Sequence, residues 1–194
     1  MLKSLEIGRF THTCAKNVMN ASKIEQKKGS IPAISAYIKK MKQMRAGKII
    51  NDGLIAGTVA GLILGLFLKW VEARDGSLVY TLLLNIDFIP LIGTVKWPEE
   101  IEFLFHIVIS WGLGIAVSFL AHHYKSHRSC SLLILSAAFT FPAVLLYFPL
   151  TLLSEKRTPP VTDSNAFLWW SAGHFLYAVG LAGTEAILLK RTDK

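Results

Sequence analysis

Two histidines, three hydroxyls and two carboxylates stand in stretches otherwise built from apolar residues: His106, Ser110, His174, Tyr177, Thr184, Glu185 and Asp52. Histidine changes charge near pH 6.5 and can donate and accept hydrogen bonds, so it suits proton transfer and acid sensing. A carboxylate in apolar surroundings is costly unless a proton, a cation or a polar partner attends it. Spacing distributes these groups over helical faces. His106 and Ser110 are one turn apart, and His174, Tyr177, Leu181, Thr184 and Glu185 share a stripe, because eleven residues is close to three turns. The set reads as a polar seam with two alternatives: a structural network whose members satisfy one another, or a route for protons or a small solute. His106 and His174 on separate helices also allow a third reading, a haem-binding redox protein, although nothing else in the sequence prepares a macrocycle pocket.

Other chemistry is less well served. His122, His123 and His127 cluster without a nearby carboxylate, and Cys14 and Cys130 are expected to be reduced and unpaired. No metal site and no cofactor is expected. Neither G-x-S-x-G, H-E-x-x-H nor a P-loop occurs, so the expectation is a non-enzymatic protein.

The elements that must position the seam follow from composition. The chain has 194 residues, 52% hydrophobic and 18% charged, greasier and less charged than soluble domains, which carry about 25% charge. The hydrocarbon core needs about 20 apolar residues of helix. Four stretches supply them, at about 49–71, 101–121, 131–153 and 167–189. The fold class is therefore an all-α integral membrane protein with four transmembrane helices. His106 and His174 fall roughly 7 and 10 Å inside their spans at 1.5 Å per residue. Asp52 falls level with Glu185. Residues 78–95 tempt a fifth span, but Asn85, Asp87 and Pro90 interrupt them, and they read as re-entrant or interfacial.

The net charge of +8 is unevenly placed: residues 1–48 carry +9 and residues 49–194 carry −1. A basic tail on a near-neutral apolar body argues against nucleic-acid binding. With the N-terminus in the cytoplasm, sixteen Lys and Arg lie inside and five outside, which predicts cytoplasmic N- and C-termini. Trp70, Trp97, Trp169 and Trp170 then fall near the outer boundary, and Lys69 and Glu72 are placed to pair there. Within the tail, Ile31, Ile34, Ile38, Met41 and Met44 recur at helical steps from Ser30–Pro32 onward. Lys39, Lys40, Lys42 and Arg45 make this a basic amphipathic N-terminal helix, whose expected partner is the anionic lipid surface. In span one Gly53, Gly57, Gly61 and Gly65 recur every four residues, a bare stripe for helix packing within the chain or for a homodimer.

Several motifs fall in an order that resembles the YagU family of small bacterial inner-membrane proteins. They are Gly-Leu-Ile-Ala-Gly at Gly53–Gly57, Lys69 and Trp70 with Glu72, and His-Ile-Val-Ile-Ser at His106–Ser110. Phe-Pro-Leu at Phe148–Leu150, Thr-Pro-Pro at Thr158–Pro160 and Gly-His at Gly173–His174 with Tyr177 complete the set. The resemblance covers residues 53–191. It departs from the family at Ala73–Ser77, which holds no proline, and at Val144, where the family has histidine. It implies a multi-pass protein of the cell inner membrane, concerned with envelope or acid-stress tolerance, and supplies no catalytic residues. The runner-up is a small transporter or channel subunit.

Overall fold

Length and apolarity decide the elements. The computed structural model describes residues 43, 46–86, 95, 97–124 and 129–192. Its helices are α1 (Ala46–Asp75), α2 (Val79–Leu83), α3 (Glu99–His123), α4 (Ser129–Leu145), α5 (Tyr147–Leu153) and α6 (Ser164–Thr192). α4 and α5 run on as one apolar stretch, so four helices are long and apolar enough to cross a membrane. No strand occurs among the described residues. The protein is thus an all-helical, multi-pass membrane protein. Its surface agrees: Leu66, Ile109, Ile134, Leu152 and Phe175 are all exposed. Apolar surface on this scale is a liability in water and is natural against lipid.

Helix ends have local causes. α1 stops where Gly76 takes a φ of 71° and its N–H bonds to the Glu72 carbonyl at 3.0 Å, a left-handed C-terminal stop that glycine adopts without strain. Pro98 precedes α3 in extended conformation, with Glu99, Glu100 and Glu102 in the first turn, where the helix dipole favours negative charge. Asp163 caps α6, its Oδ1 accepting the Ala166 N–H at 3.0 Å. Pro142 sits inside α4 and lacks the N–H for one helical bond. A turn at Leu146 then separates α4 from α5.

α1 packs against α3 through bare backbone. A Cβ on Gly53 would meet Ile115 Cα at 2.5 Å, and one on Gly57 would meet the Ser110 carbonyl oxygen at 2.5 Å. From the other side, a Cβ on Gly114 would come within 2.2 Å of the Gly53 carbonyl oxygen. Gly65 receives the Phe103 ring. The stripe is covered by α3, so a homodimer through Gly53, Gly57, Gly61 and Gly65 would have to displace α3 from it. α6 meets the same helix through Gly173, beside Leu64 and Leu68, and Gly180, beside Ile63. On the other flank of α6, Leu132 of α4 packs with Ala182 and Leu189. The core lies between these helices, centred on Ala56, Ala60, Leu64, Val117, Tyr177 and Leu181.

The sequence between α1 and α3 does not read as a fifth span where it is described. α2 is five residues long, and Val79 and Leu82 are buried by the bundle. Asn85 donates from Nδ2 to the Leu150 carbonyl at 3.3 Å. Asp87 and Pro90 lie outside the described residues, as do Lys39, Lys40, Lys42, Arg45 and the rest of the expected amphipathic helix.

One expectation at the tryptophan-rich end needs correction. Lys69 and Glu72 do not pair: Lys69 Nζ lies 2.5 Å from Glu99 Oε1, while Glu72 accepts the Thr81 N–H at 2.8 Å and its hydroxyl at 2.7 Å. The short connection brings α2 and the start of α3 back onto α1, which offers each charge a better-placed partner. Trp170 faces the bundle interior rather than the lipid. It is buried, its ring lies 6.2 Å from that of Tyr147, and its indole donates to the Ala143 carbonyl at 3.2 Å.

Candidate functional site

Four helices bring the predicted polar residues together in two layers. α3 supplies His106 and Ser110, α6 supplies His174 and Tyr177, and α4 adds Thr140. These five side chains, with apolar neighbours such as Leu64, line a cavity of about 40 Å³. A water needs roughly 10–15 Å³ of such space, so the cavity is large enough for at least one.

The hydrogen bonds around it have a fixed direction. His174 Nδ1 lies 2.8 Å from the Trp170 carbonyl. A carbonyl only accepts, so Nδ1 carries a proton and Nε2 of the neutral ring is an acceptor. The Trp170 indole packs on the same imidazole, centroids 4.4 Å apart, which fixes its orientation. Ser110 Oγ donates its one proton to the Gly57 carbonyl at 2.6 Å. Tyr177 must therefore be the donor in the 2.9 Å contact between its hydroxyl and Ser110. His106 stacks on Phe103 at 6.3 Å and lies within electrostatic reach of His174. Its Nε2 is buried and has no hydrogen-bond partner among the described residues. A buried polar atom left unpaired costs about 1–3 kcal/mol.

The second layer lies near the Lys48 end. Glu185 is buried, about 16 Å along α6 from His174 at 1.5 Å per residue. Its Oε1 accepts a hydrogen bond from Ser118 of α3, while Oε2 is buried without a partner among the described residues. Asp52, also buried, pairs with Lys48 at 2.5 Å one turn away. Asp52, Lys48 and His122 all act electrostatically on Glu185. Thr184 is not part of the layer, because its hydroxyl donates to the Gly180 carbonyl at 2.8 Å within its own helix. On α4, Thr140 donates to the Ser136 carbonyl at 2.7 Å. Ser136 Oγ is buried without a partner among the described residues.

Comparison with known proteins finds no matching family model, no matching curated sequence and no matching solved structure. The reading of the site therefore rests on its chemistry.

Three contributors escape a sequence reading centred on histidine and carboxylate. Ser118 follows Ser110 and Gly114 at steps of four, and Thr140 follows Leu132 and Ser136 in the same way. The small-residue step of four was the available signal. The third is Trp111, whose indole donates to Thr58 Oγ1 at 2.8 Å and ties α3 to α1 beside the cavity. No group of three His, Cys, Asp or Glu side chains placed to hold a metal occurs among the described residues. The cavity also does not fit a haem, since water-sized space between His106 and His174 cannot take a macrocycle.

Outside the seam, the tryptophan-rich end is clamped by ion pairs. Lys156 meets the buried carboxylate of Glu102, and Tyr80 donates to Glu99 at 3.0 Å. Burial first, then the adjacent Glu99 carboxylate, holds the Tyr80 hydroxyl above the usual tyrosine range.

Proposed function

We propose that this protein handles protons within the membrane, through a hydrated histidine site between α3, α4 and α6. The observation that carries the reading is that His106 of α3 and His174 of α6 line one cavity of about 40 Å³. An imidazole beside confined water can accept a proton on one nitrogen and release one from the other. Tyr177 and Ser110 line the same cavity, and their hydroxyls are joined to each other and to the Gly57 carbonyl. Transport of another small solute is the competing form of this reading; the narrow space favours water and protons.

The uneven placement of Lys and Arg bears on orientation. Sixteen Lys and Arg on the side of the N-terminus against five opposite support cytoplasmic termini, and the basic first 48 residues suit an anionic lipid surface. The resemblance to the YagU family supports placement in a cell inner membrane and a role in envelope or acid-stress tolerance. The protein would then be non-enzymatic.

The test is proton flux into proteoliposomes after an acid jump, followed with an entrapped pH dye. Flux is expected in the wild type and is expected to fall in both His174→Ala and His106→Ala. Equal flux in all three overturns the proposal.

A further inference from the structure

Glu185 is a buried ionisable group that the histidine site does not use. It is 1% exposed. Ser118 satisfies Oε1, and Oε2 has no hydrogen-bond partner among the described residues. A carboxylate there would need a cation, because a charge in apolar surroundings without compensation is far more costly than a neutral polar group. Among the described residues, neither basic group near Glu185 donates a hydrogen bond to it. Lys48 of α1 is on Asp52 at 2.5 Å, and His122 of α3 has Nδ1 2.9 Å from the Ser118 carbonyl. Asp52, the remaining charged neighbour, has the same sign as a Glu185 carboxylate. α4 contributes Leu132, Ser136 and Thr140 to the buried surface, none of them titratable. A proton is the smallest ligand that removes the charge, and it needs no further space.

We propose that Glu185 is a proton-binding carboxylic acid at neutral pH and therefore a site of covalent modification by lipid-soluble carbodiimides. The acid O–H adds across one C=N bond: the carboxyl oxygen joins the central carbon and the proton goes to nitrogen. An oxygen-to-nitrogen acyl shift then gives a stable N-acylurea. Nothing is oxidised and no group leaves. A carboxylate paired with Lys, as Glu102 is with Lys156, lacks the proton that starts this reaction. The assignment deepens the proton-handling reading by giving the seam an acid near its Lys48 end.

The test uses the full chain in lipid bilayers at pH 7. Infrared spectroscopy is expected to show the C=O stretch of a protonated carboxylic acid, shifted in heavy water. The band should be lost in Glu185→Gln and retained in Glu102→Gln. In Ser118→Ala it should move to higher frequency, since one hydrogen bond to the carbonyl is gone. Dicyclohexylcarbodiimide should label the α6 fragment once per chain, with the label lost in Glu185→Gln and unaffected by added sodium at constant pH. A band unchanged in both Glu185→Gln and Ser118→Ala overturns the assignment, as does labelling that sodium blocks, which would make the site a cation site. Absence of label on α6 overturns the modification. Proton flux that depends on His174 without an acid band from Glu185 would refute this assignment alone and leave the histidine site standing.

Discussion

Gly112 and Gly114 lie two residues apart on α3 and allow the α1–α3 contact to be tested with one chemical change. A Cβ at Gly112 would meet nothing within 4 Å. A Cβ at Gly114 would stand 2.2 Å from the Gly53 carbonyl oxygen and 2.9 Å from Gly57 N. Ordinary contact begins at 3.4 Å, so α1 and α3 must part by roughly 1 Å or distort, and overpacking of this kind costs about 1–3 kcal/mol. Both substitutions, Gly112→Ala and Gly114→Ala, gain similar helix propensity, up to about 1 kcal/mol, so their difference isolates the packing term. Separation would also stretch the 2.6 Å bond from Ser110 to Gly57, which carries the disturbance to the cavity wall. The assay is equilibrium unfolding in mixed micelles, followed by tryptophan fluorescence. Gly114→Ala is expected to be less stable than Gly112→Ala by about 1–3 kcal/mol. Equal stabilities would refute the contact between these backbones.

Three further outcomes follow from the same geometry. Lys156→Ala should destabilise the fold by more than a surface pair would, about 1–3 kcal/mol, because it strips the buried Glu102 of its cation; adding Glu102→Gln should restore most of the loss in the same unfolding assay. Asp163→Ala removes the cap on α6 and should cost about 1 kcal/mol, read as a lower unfolding midpoint. Tyr147→Phe deletes a hydroxyl that donates to the carbonyls of Pro160 and Asp163 at 3.2 and 3.3 Å. It should cost about 0.5–1.5 kcal/mol and speed proteolysis of the loop between α5 and α6.

The four spans were legible because about 20 apolar residues leave few alternatives to a helix in lipid. Their ends were less so. α1 runs to Asp75 and α6 starts at Ser164, since backbone hydrogen bonding continues into polar sequence until a residue such as Gly76 or a cap such as Asp163 stops it. Residue spacing placed His174, Tyr177 and Glu185 on one face, but it carried no information about which helix faces that stripe. Ser118 and Thr140 therefore become part of the seam only through the placement of α3 and α4 beside α6. The same blindness paired Lys69 with its sequence neighbour Glu72 rather than with Glu99, thirty residues away. Position along the chain likewise does not tell that Trp170 packs inward against Tyr147 and donates to the Ala143 carbonyl.

The central claim is that water occupies the site between His106 and His174. Water-edited solid-state NMR of the full chain in bilayers, with ¹⁵N-labelled histidine, tests it most directly. The account predicts magnetisation transfer from mobile water to the ring nitrogens of His106 and His174, lost for His106 in the His106→Phe control. Ring nitrogens that receive none, in a protein whose exposed His123 does, would contradict it.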